Sequence, residues 1–438
     1  MRIVKFRGKM NYTEFLDYIY KRHSGNVKLG LERVYNILNE MENPNLKLKG
    51  IHVGGTNGKG STVAISEAIL SEHGFTTGMN TSPHLVDYRE RIRVNGKNIE
   101  LDTLIELYKK WENVFEKYEA SFFEITTSMA FRHFLDEQVD TALFEVGLGG
   151  RLDGTRPFES DITVITSIGI DHPKSLGDTL EKIAFEKSGI LKEGKPLVLG
   201  QLPDEAVKVI RKEARKLSVP IYEFADKFSV NNIRCDQTGT HFDYSFPEFN
   251  LELNDLTVNL IGEHQARNAS NALTACALYF KARNRKIDPE KIRSALQKVN
   301  WQGRMQILAK NPTVIIDGAH NEEGINVTVK NINAVFGKKV YAVLAILRDK
   351  NLTDMIKTLC SVAKKVYISK NKSNRAAEIE DQLEAVKTTK TPYSVSFDVI
   401  EAFKKAYAEA KPDDVILITG SLYTISEIIA EKDKLFHA

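Results

Sequence analysis

Apolar positions along this chain alternate between two rhythms. Leu31, Val34, Tyr35, Leu38 and Met41 recur at i, i+3, i+4 and i+7, which predicts an N-terminal helix ending before Pro44. The run "GIHV" then reads as a strand, "GGTNGKG" as a glycine-rich loop, and "STVAISEAILSEHG" as a helix stopped at Gly74. Near-continuous apolar runs follow in "DTALFEVG" (140–147) and "DITVITSIG" (161–169), as expected of parallel strands covered on both faces. This succession predicts a doubly wound α/β sheet.

Between about Phe228 and Leu260 the pattern turns polar and strand-like, which suggests an antiparallel insertion or edge. Helices are predicted through "HQARNASNALTACALYFKARN" and "PEKIRSALQKV". "NWQGRMQIL" carries no strong period. A fresh α/β series follows in "TVIID", "VYAVLAIL", "KVYIS" and "DVILITG". The expected division is a first domain over 1–298 and a second over 299–438.

Length agrees with two domains, since 438 residues exceed what one hydrophobic core usually serves. A net charge of +3 without a long basic run argues against nucleic acid as the main partner. Three cysteines without a CxxC pair argue against a disulfide framework and a cysteine-ligated zinc. No apolar run approaches a membrane span, and "MRIVKFRGKM" is not followed by an apolar stretch of signal-peptide length. The cytoplasm is the expected location.

The loop between strand and helix carries the first candidate chemistry. Glycines let backbone N–H groups turn to one point, and the following helix presents its positive end there. Lys59 adds a charge for phosphate oxygens, and Ser61 or Thr62 a hydroxyl. Gly60 separates Lys59 from Ser61, however, so the usual G-x-x-x-x-G-K-[ST] spelling fails. A plain strand-to-helix turn would look similar.

Glu145, and then Asp171 with His172, stand just beyond apolar strands, where open sheets bind ligands. Each alone could be a solvated strand end. Lys187 follows Ile183 by four residues and precedes Leu191 by four, which places it on the apolar stripe of a helix. Such a lysine can snorkel to solvent. If buried, its neutral form becomes accessible as a nucleophile, or as an amine that adds carbon dioxide.

"GGTNGKGS", "TSPHL…RERIRVNG", "FEITT", "EVGLGGRLD", "DHPKSLG", "EKSGI", "GEHQARNA", "WQGRMQI", "DGAHNEEG" and "ITGSLY" occur in this order. Together they resemble the folylpolyglutamate synthases, including the bifunctional dihydrofolate synthase/folylpolyglutamate synthases, a branch of the Mur ligase superfamily. The resemblance implies an ATP-dependent amide ligase. Its fold would be α/β: a P-loop-containing Mur ligase central domain, then a Rossmann-like C-terminal domain that closes over ATP and binds glutamate.

Carried over motif by motif, Asn57, Gly58, Lys59, Gly60 and Ser61 would bind the triphosphate. Ser82, Glu145 and His172 would hold Mg²⁺, with two ions expected and a monovalent cation such as K⁺ as a further candidate. Lys187 matches a lysine that is a carbamate in many members. Asn268, Arg304 and Asp317 would serve ATP, His320 would lie near the reacting phosphate, and Gly30 and Arg33 would contribute to the folate side.

The implied partners are small molecules: a reduced folate or dihydropteroate, L-glutamate and ATP, handled by a monomer without membrane or nucleic acid. Two other readings stay open. One is a different Mur-type amino-acid ligase, disfavoured because the chain opens almost directly on helices and loop. The other is a non-catalytic P-loop nucleotide switch, against which the second α/β domain and the "DGAHN" loop argue.

Overall fold

The computed structural model describes residues 11–22 and 30–436, so the reading of the first ten residues lies outside the described ones. Contacts divide the chain into two compact units, Met1–Phe228 with Asn271–Ile292, and Ser229–Ser270 with Arg293–Ala438. A single cut between 298 and 299 does not describe this grouping. The strands after Phe228 fall with the second unit because their bonds stay there: Thr240 Oγ1 donates to Leu260 O at 2.7 Å, and Arg293 to Asp255 O at 3.1 Å.

In the first unit the apolar runs form β1 (Gly50–Gly54), β2 (Thr77–Asn80), β3 (Ile92–Val94), β4 (Lys97–Asn98), β5 (Thr141–Glu145), β6 (Ile162–Ile165), β7 (Leu197–Leu199) and β8 (Ile221–Glu223). They make one sheet in the order β4-β3-β2-β5-β1-β6-β7-β8, parallel except for the β2–β3 and β3–β4 pairs. Every residue of β1, β5 and β6 is buried, which is why these strands read as unbroken apolar runs. In register, Val53 stands beside both Glu145 and Val164. The ends of β5 and β6 therefore flank the loop that leaves β1, at the point where the strand order reverses.

The helix Glu32–Glu40 buries Val34, Ile37 and Leu38. Tyr35, although on the predicted stripe, is exposed, and Ile37 takes the core position. Pro44 does not merely follow a stop: it opens a second short helix, Pro44–Lys47, where its missing N–H costs nothing. The helices Glu32–Glu40, Leu101–Lys117 and Phe122–Asp136 share one aromatic core with β5. Phe131 stacks on Phe144 at 4.3 Å between centroids, and Phe158 lies 4.8 Å from Phe144.

The second unit holds two sheets. The polar stretch forms an antiparallel meander of β9 (Ser229–Asp236), β10 (Gly239–Phe246) and β11 (Leu251–Val258). Beyond it come β12 (Gln306–Ala309), β13 (Thr313–Ile316), β14 (Val340–Leu344), β15 (Ala363–Ile368), β16 (Tyr393–Val395) and β17 (Val415–Thr419), ordered β12-β13-β17-β14-β15-β16. Only β12 runs antiparallel, pairing with β13 from part of "NWQGRMQIL". Among the described residues no helix is long and apolar enough to cross a membrane.

Phe144 sits at the centre of the first unit's aromatic core and is fully buried. Phe144→Ala should cost about 3–5 kcal/mol. Urea unfolding followed by tryptophan fluorescence should show the lower midpoint at an unchanged slope.

Candidate active site

At the end of β1 the chain turns through Gly58, which adopts φ +84° as N-cap of the helix Lys59–Glu72. That left-handed conformation suits glycine. The first helical bond is Thr62 N–H to Gly58 O at 2.9 Å, so the N–H groups of Lys59, Gly60 and Ser61 precede it. Gly60 is thus the second residue of the helix rather than an interruption of the loop, and Ser61 and Thr62 are buried in its first turn.

The loop carbonyls are tied back to the end of β6. Thr166 Oγ1 donates to Asn57 O at 2.6 Å, and Ser167 Oγ donates to the same oxygen at 3.0 Å. Asn57 N–H returns a bond to Ser167 Oγ, and Thr56 N–H donates to Ser167 O at 2.8 Å. With these loop carbonyls engaged on one side, the helix N-terminus is left to present its N–H groups to an anion.

Two lysines meet at one oxygen of this loop. Lys59 Nζ donates to Gly55 O at 3.2 Å and to Thr56 O at 3.0 Å. Lys187 Nζ donates to Gly55 O at 2.8 Å. Lys187 lies on the buried face of the helix Leu180–Ser188, as its spacing from Ile183 predicts, although the helix ends before Leu191. It does not snorkel. Burial, and then the charge of Lys59, bring its amine down to about 7, against the opposing pull of Asp171 and Asp153.

Glu145, buried at the end of β5, accepts the Ser82 N–H at 3.0 Å, so two of the expected metal ligands come together. His172 caps the short helix Pro173–Leu176 in a left-handed conformation, with Nε2 3.9 Å from Asp171 Oδ2. Among the described residues no three His, Cys, Asp or Glu side chains form a ready-made metal cluster. A buried carboxylate, a hydroxyl and one imidazole fit a hard divalent ion that completes its shell with water and phosphate oxygens. Of the two residues expected on the folate side, Arg33 Nε reaches Glu124 Oε1 at 3.2 Å, and a Cβ on Gly30 would meet no atom of the described residues within 4 Å.

The second unit places its own candidates around the end of β13. Asp317 accepts from Met305 N–H at 2.8 Å, Ala319 N–H at 3.0 Å and Thr328 Oγ1 at 2.9 Å. It therefore anchors the residue after Arg304 and the turn that leads to His320. Burial pushes its carboxyl up, and Arg304 opposes this. His320 Nδ1 lies 3.0 Å from Gly318 O. Asn268 Nδ2 donates to Gln265 Oε1 at 2.9 Å, one turn back in the helix Glu263–Lys281.

Three groups escaped selection although their motifs were noticed. Asp153, in "GGRLD", is a fully enclosed carboxylate. Thr166 and Ser167, in "VITSIG", clamp the loop. His264, in "GEHQ", is pushed down to about 4 by burial and by Arg304. The signal in each case was a polar residue inside an apolar or glycine-rich context.

Residues 53–278 match the Mur ligase middle domain, and residues 303–422 match the Mur ligase, glutamate ligase domain. Over 425 residues the chain is 36% identical to the dihydrofolate synthase/folylpolyglutamate synthase of Bacillus subtilis, covering 95% of this chain and 98% of that one. The chain belongs to the folylpolyglutamate synthase branch of the Mur ligases. Solved members of the branch share its fold. Mycobacterium tuberculosis folylpolyglutamate synthase complexed with ADP aligns with a TM-score of 0.89 at 27% identity, covering 96% of this chain and 98% of that one. The bifunctional folylpolyglutamate synthase/dihydrofolate synthase from Yersinia pestis, complexed with AMPPNP and Mn ion, aligns at 0.86 and 30%, covering 96% and 98%.

In this Mur ligase the state of Lys187 has a measurable sign. The unfolded chain keeps that amine protonated up to about 10.5, whereas the folded chain releases the proton near 7. Between those values the unfolded state binds more protons, so Lys187 makes stability rise with pH there. Below about pH 7 both states are protonated, and the buried charge weighs fully on the fold. The melting temperature of the wild type should therefore gain on that of Lys187→Met as pH is raised through this window; a constant gap would show an unperturbed amine.

Proposed function

We propose that this chain ligates L-glutamate to the terminal carboxylate of a reduced folate, using ATP and passing through an acyl phosphate. The observation that carries the reading is the meeting of Lys59 and Lys187 at the Gly55 carbonyl, in a chain that matches folylpolyglutamate synthases almost end to end. The two family matches support assigning ATP binding to residues 1–298 and glutamate ligation to 299–438 by sequence, even though the contacts group Ser229–Ser270 with the second unit.

A carboxylate is a poor electrophile. Transfer of the γ-phosphoryl group of ATP to it creates a mixed anhydride whose phosphate can leave. During transfer, charge spreads over the phosphoryl oxygens. The N–H groups of Lys59, Gly60 and Ser61, held in place by the helix start, face that charge with little reorganisation, and the ammonium of Lys59 joins them by moving. Asn57 and Gly58 shape the turn, and Lys59 must leave the Gly55 and Thr56 carbonyls to reach the phosphate.

The chemistry then passes to the amine of glutamate, which attacks the acyl carbon. A tetrahedral intermediate collapses to the amide and releases inorganic phosphate. A divalent ion such as Mg²⁺, held by Ser82, Glu145 and His172, would supply further positive charge at the phosphate oxygens. Lys187 supports a second role: its near-neutral amine suits addition to carbon dioxide, with loss of one proton, to form a carbamate. Asn268, Arg304, Asp317 and His320 are assigned to the nucleotide and the reacting phosphate, with Asp317 acting mainly by holding the main chain around Arg304 and His320. Arg33 and Gly30 are assigned to the folate.

An ADP-release assay should require glutamate together with a reduced folate. Offered separately, dihydropteroate decides whether the enzyme is bifunctional. Lys59→Ala should lower the rate at least about a hundredfold. Near-native ligation by that variant would remove the loop from the mechanism, and ADP release indifferent to glutamate would point to a nucleotide switch.

A further inference from the structure

The strand that feeds the phosphate loop carries a histidine with no part in the chemistry above. His52 lies in the middle of β1, fully buried, with its ring edge-on to Phe158. Its Nε2 is 2.8 Å from the hydroxyl of Thr155, and that hydroxyl donates to Asp153 Oδ1 at 2.5 Å. A hydroxyl has one proton to give. Because it goes to Asp153, the hydrogen between His52 and Thr155 sits on Nε2. Nδ1 is then a bare buried nitrogen, without a partner among the described residues. An orphaned polar atom weakens the fold, and an aliphatic side chain would avoid that cost. What the ring supplies in exchange is a donor to Thr155.

Asp153 is also enclosed, and its remaining bonds go to main chain. Oδ1 accepts the Thr155 N–H at 2.9 Å, and Oδ2 accepts the Leu148 N–H at 2.8 Å. The loop so held runs directly over the end of the helix Leu180–Ser188. Arg151 N–H donates to Glu186 O at 2.8 Å, and a Cβ on Gly150 would fall 2.9 Å from that oxygen and 3.0 Å from Lys187 O. Lys187 reaches on to Gly55 O, just past the end of β1. These links close a ring: β1, Thr155, Asp153, the glycine loop, the helix end, Lys187 and the phosphate loop. Glu145 enters the same loop through Val146.

We propose that His52 is a positioning residue: through Thr155 and Asp153 it holds the 147–151 loop, and with it Glu145 and Lys187, in register with the phosphate loop. Its effect on turnover rests on the ligase reading above, whereas its effect on the loop does not.

His52→Leu removes the donor at similar volume, and His52→Gln keeps a donor near the place of Nε2. Thr155→Val breaks the chain at its middle. The Leu and Val variants should each lose about tenfold or more in kcat for glutamate-dependent ADP release. KM for ATP should stay within about threefold, as for a group whose effect is felt in the chemical step. His52→Gln should recover most of kcat, and the Leu/Val double variant should be no worse than Thr155→Val alone.

Amide hydrogen exchange at Leu148 should quicken in His52→Leu and Thr155→Val but not in His52→Gln. Wild-type kcat with wild-type Leu148 protection in His52→Leu overturns the proposal, as does a His52→Gln variant as impaired as His52→Leu. Should His52→Leu not fold, Thr155→Ser against Thr155→Val decides, since serine keeps the hydroxyl and equal loss in both overturns the relay. Wild-type protein without glutamate-dependent ADP release overturns the ligase reading instead, and the Leu148 exchange then judges the relay by itself.

Discussion

A backbone that gathers several N–H groups at one point must send its carbonyls elsewhere, and much of the first unit answers that requirement. The carbonyl of Gly54 is taken by the Thr166 N–H, that of Asn57 by the Thr166 and Ser167 hydroxyls at the end of β6, and those of Gly55 and Thr56 by two lysines. A buried carbonyl without a partner would cost about 1–3 kcal/mol, enough to favour a different turn. The parallel register fixes where such partners can come from. With β1 between β5 and β6, the partners come from the end of β6, from the helix Leu180–Ser188 that follows it and from the loop's own helix.

The second unit meets a similar need by other means. Asp317 spends its carboxylate on two N–H groups and a threonine hydroxyl, so a side chain serves where the first unit uses strand ends. Both arrangements place their fixed main-chain groups at the carboxyl end of a parallel strand. There the chain leaves the sheet, and its polar groups are no longer consumed by the ladder.

How much of this could be read from the sequence depended on whether a residue's burial is set by its near neighbours. The strands β1, β5 and β6 were legible because burial on both faces leaves an unbroken apolar run. Strand β12 was not, since an antiparallel edge with intermediate burial at every residue shows no period. Lys187 was legible as a lysine on an apolar stripe, but its acceptor was not, because Gly55 O arrives from a segment far away in the chain. Asp153 stayed hidden for the same reason: nothing local says that its carboxylate turns inward to hold Leu148. Family resemblance supplied the roles expected of Ser82 and His172; spacing alone would not have joined Ser82 to Glu145.

The shared carbonyl of Gly55 also makes two equilibria interdependent. The positive charge of Lys59 is one reason that Lys187 gives up its proton easily. An anion arriving at the loop offsets that charge and draws the Lys59 ammonium toward itself, so it raises the proton affinity of Lys187. By reciprocity, a protonated Lys187 strengthens the loop's hold on an anion by the same factor. The neutral amine is accordingly more accessible without the anion than with it. On the proposed reading, carbamate formation at Lys187 and anion binding at the loop would oppose each other, since the first needs the neutral amine and the second favours the charged one.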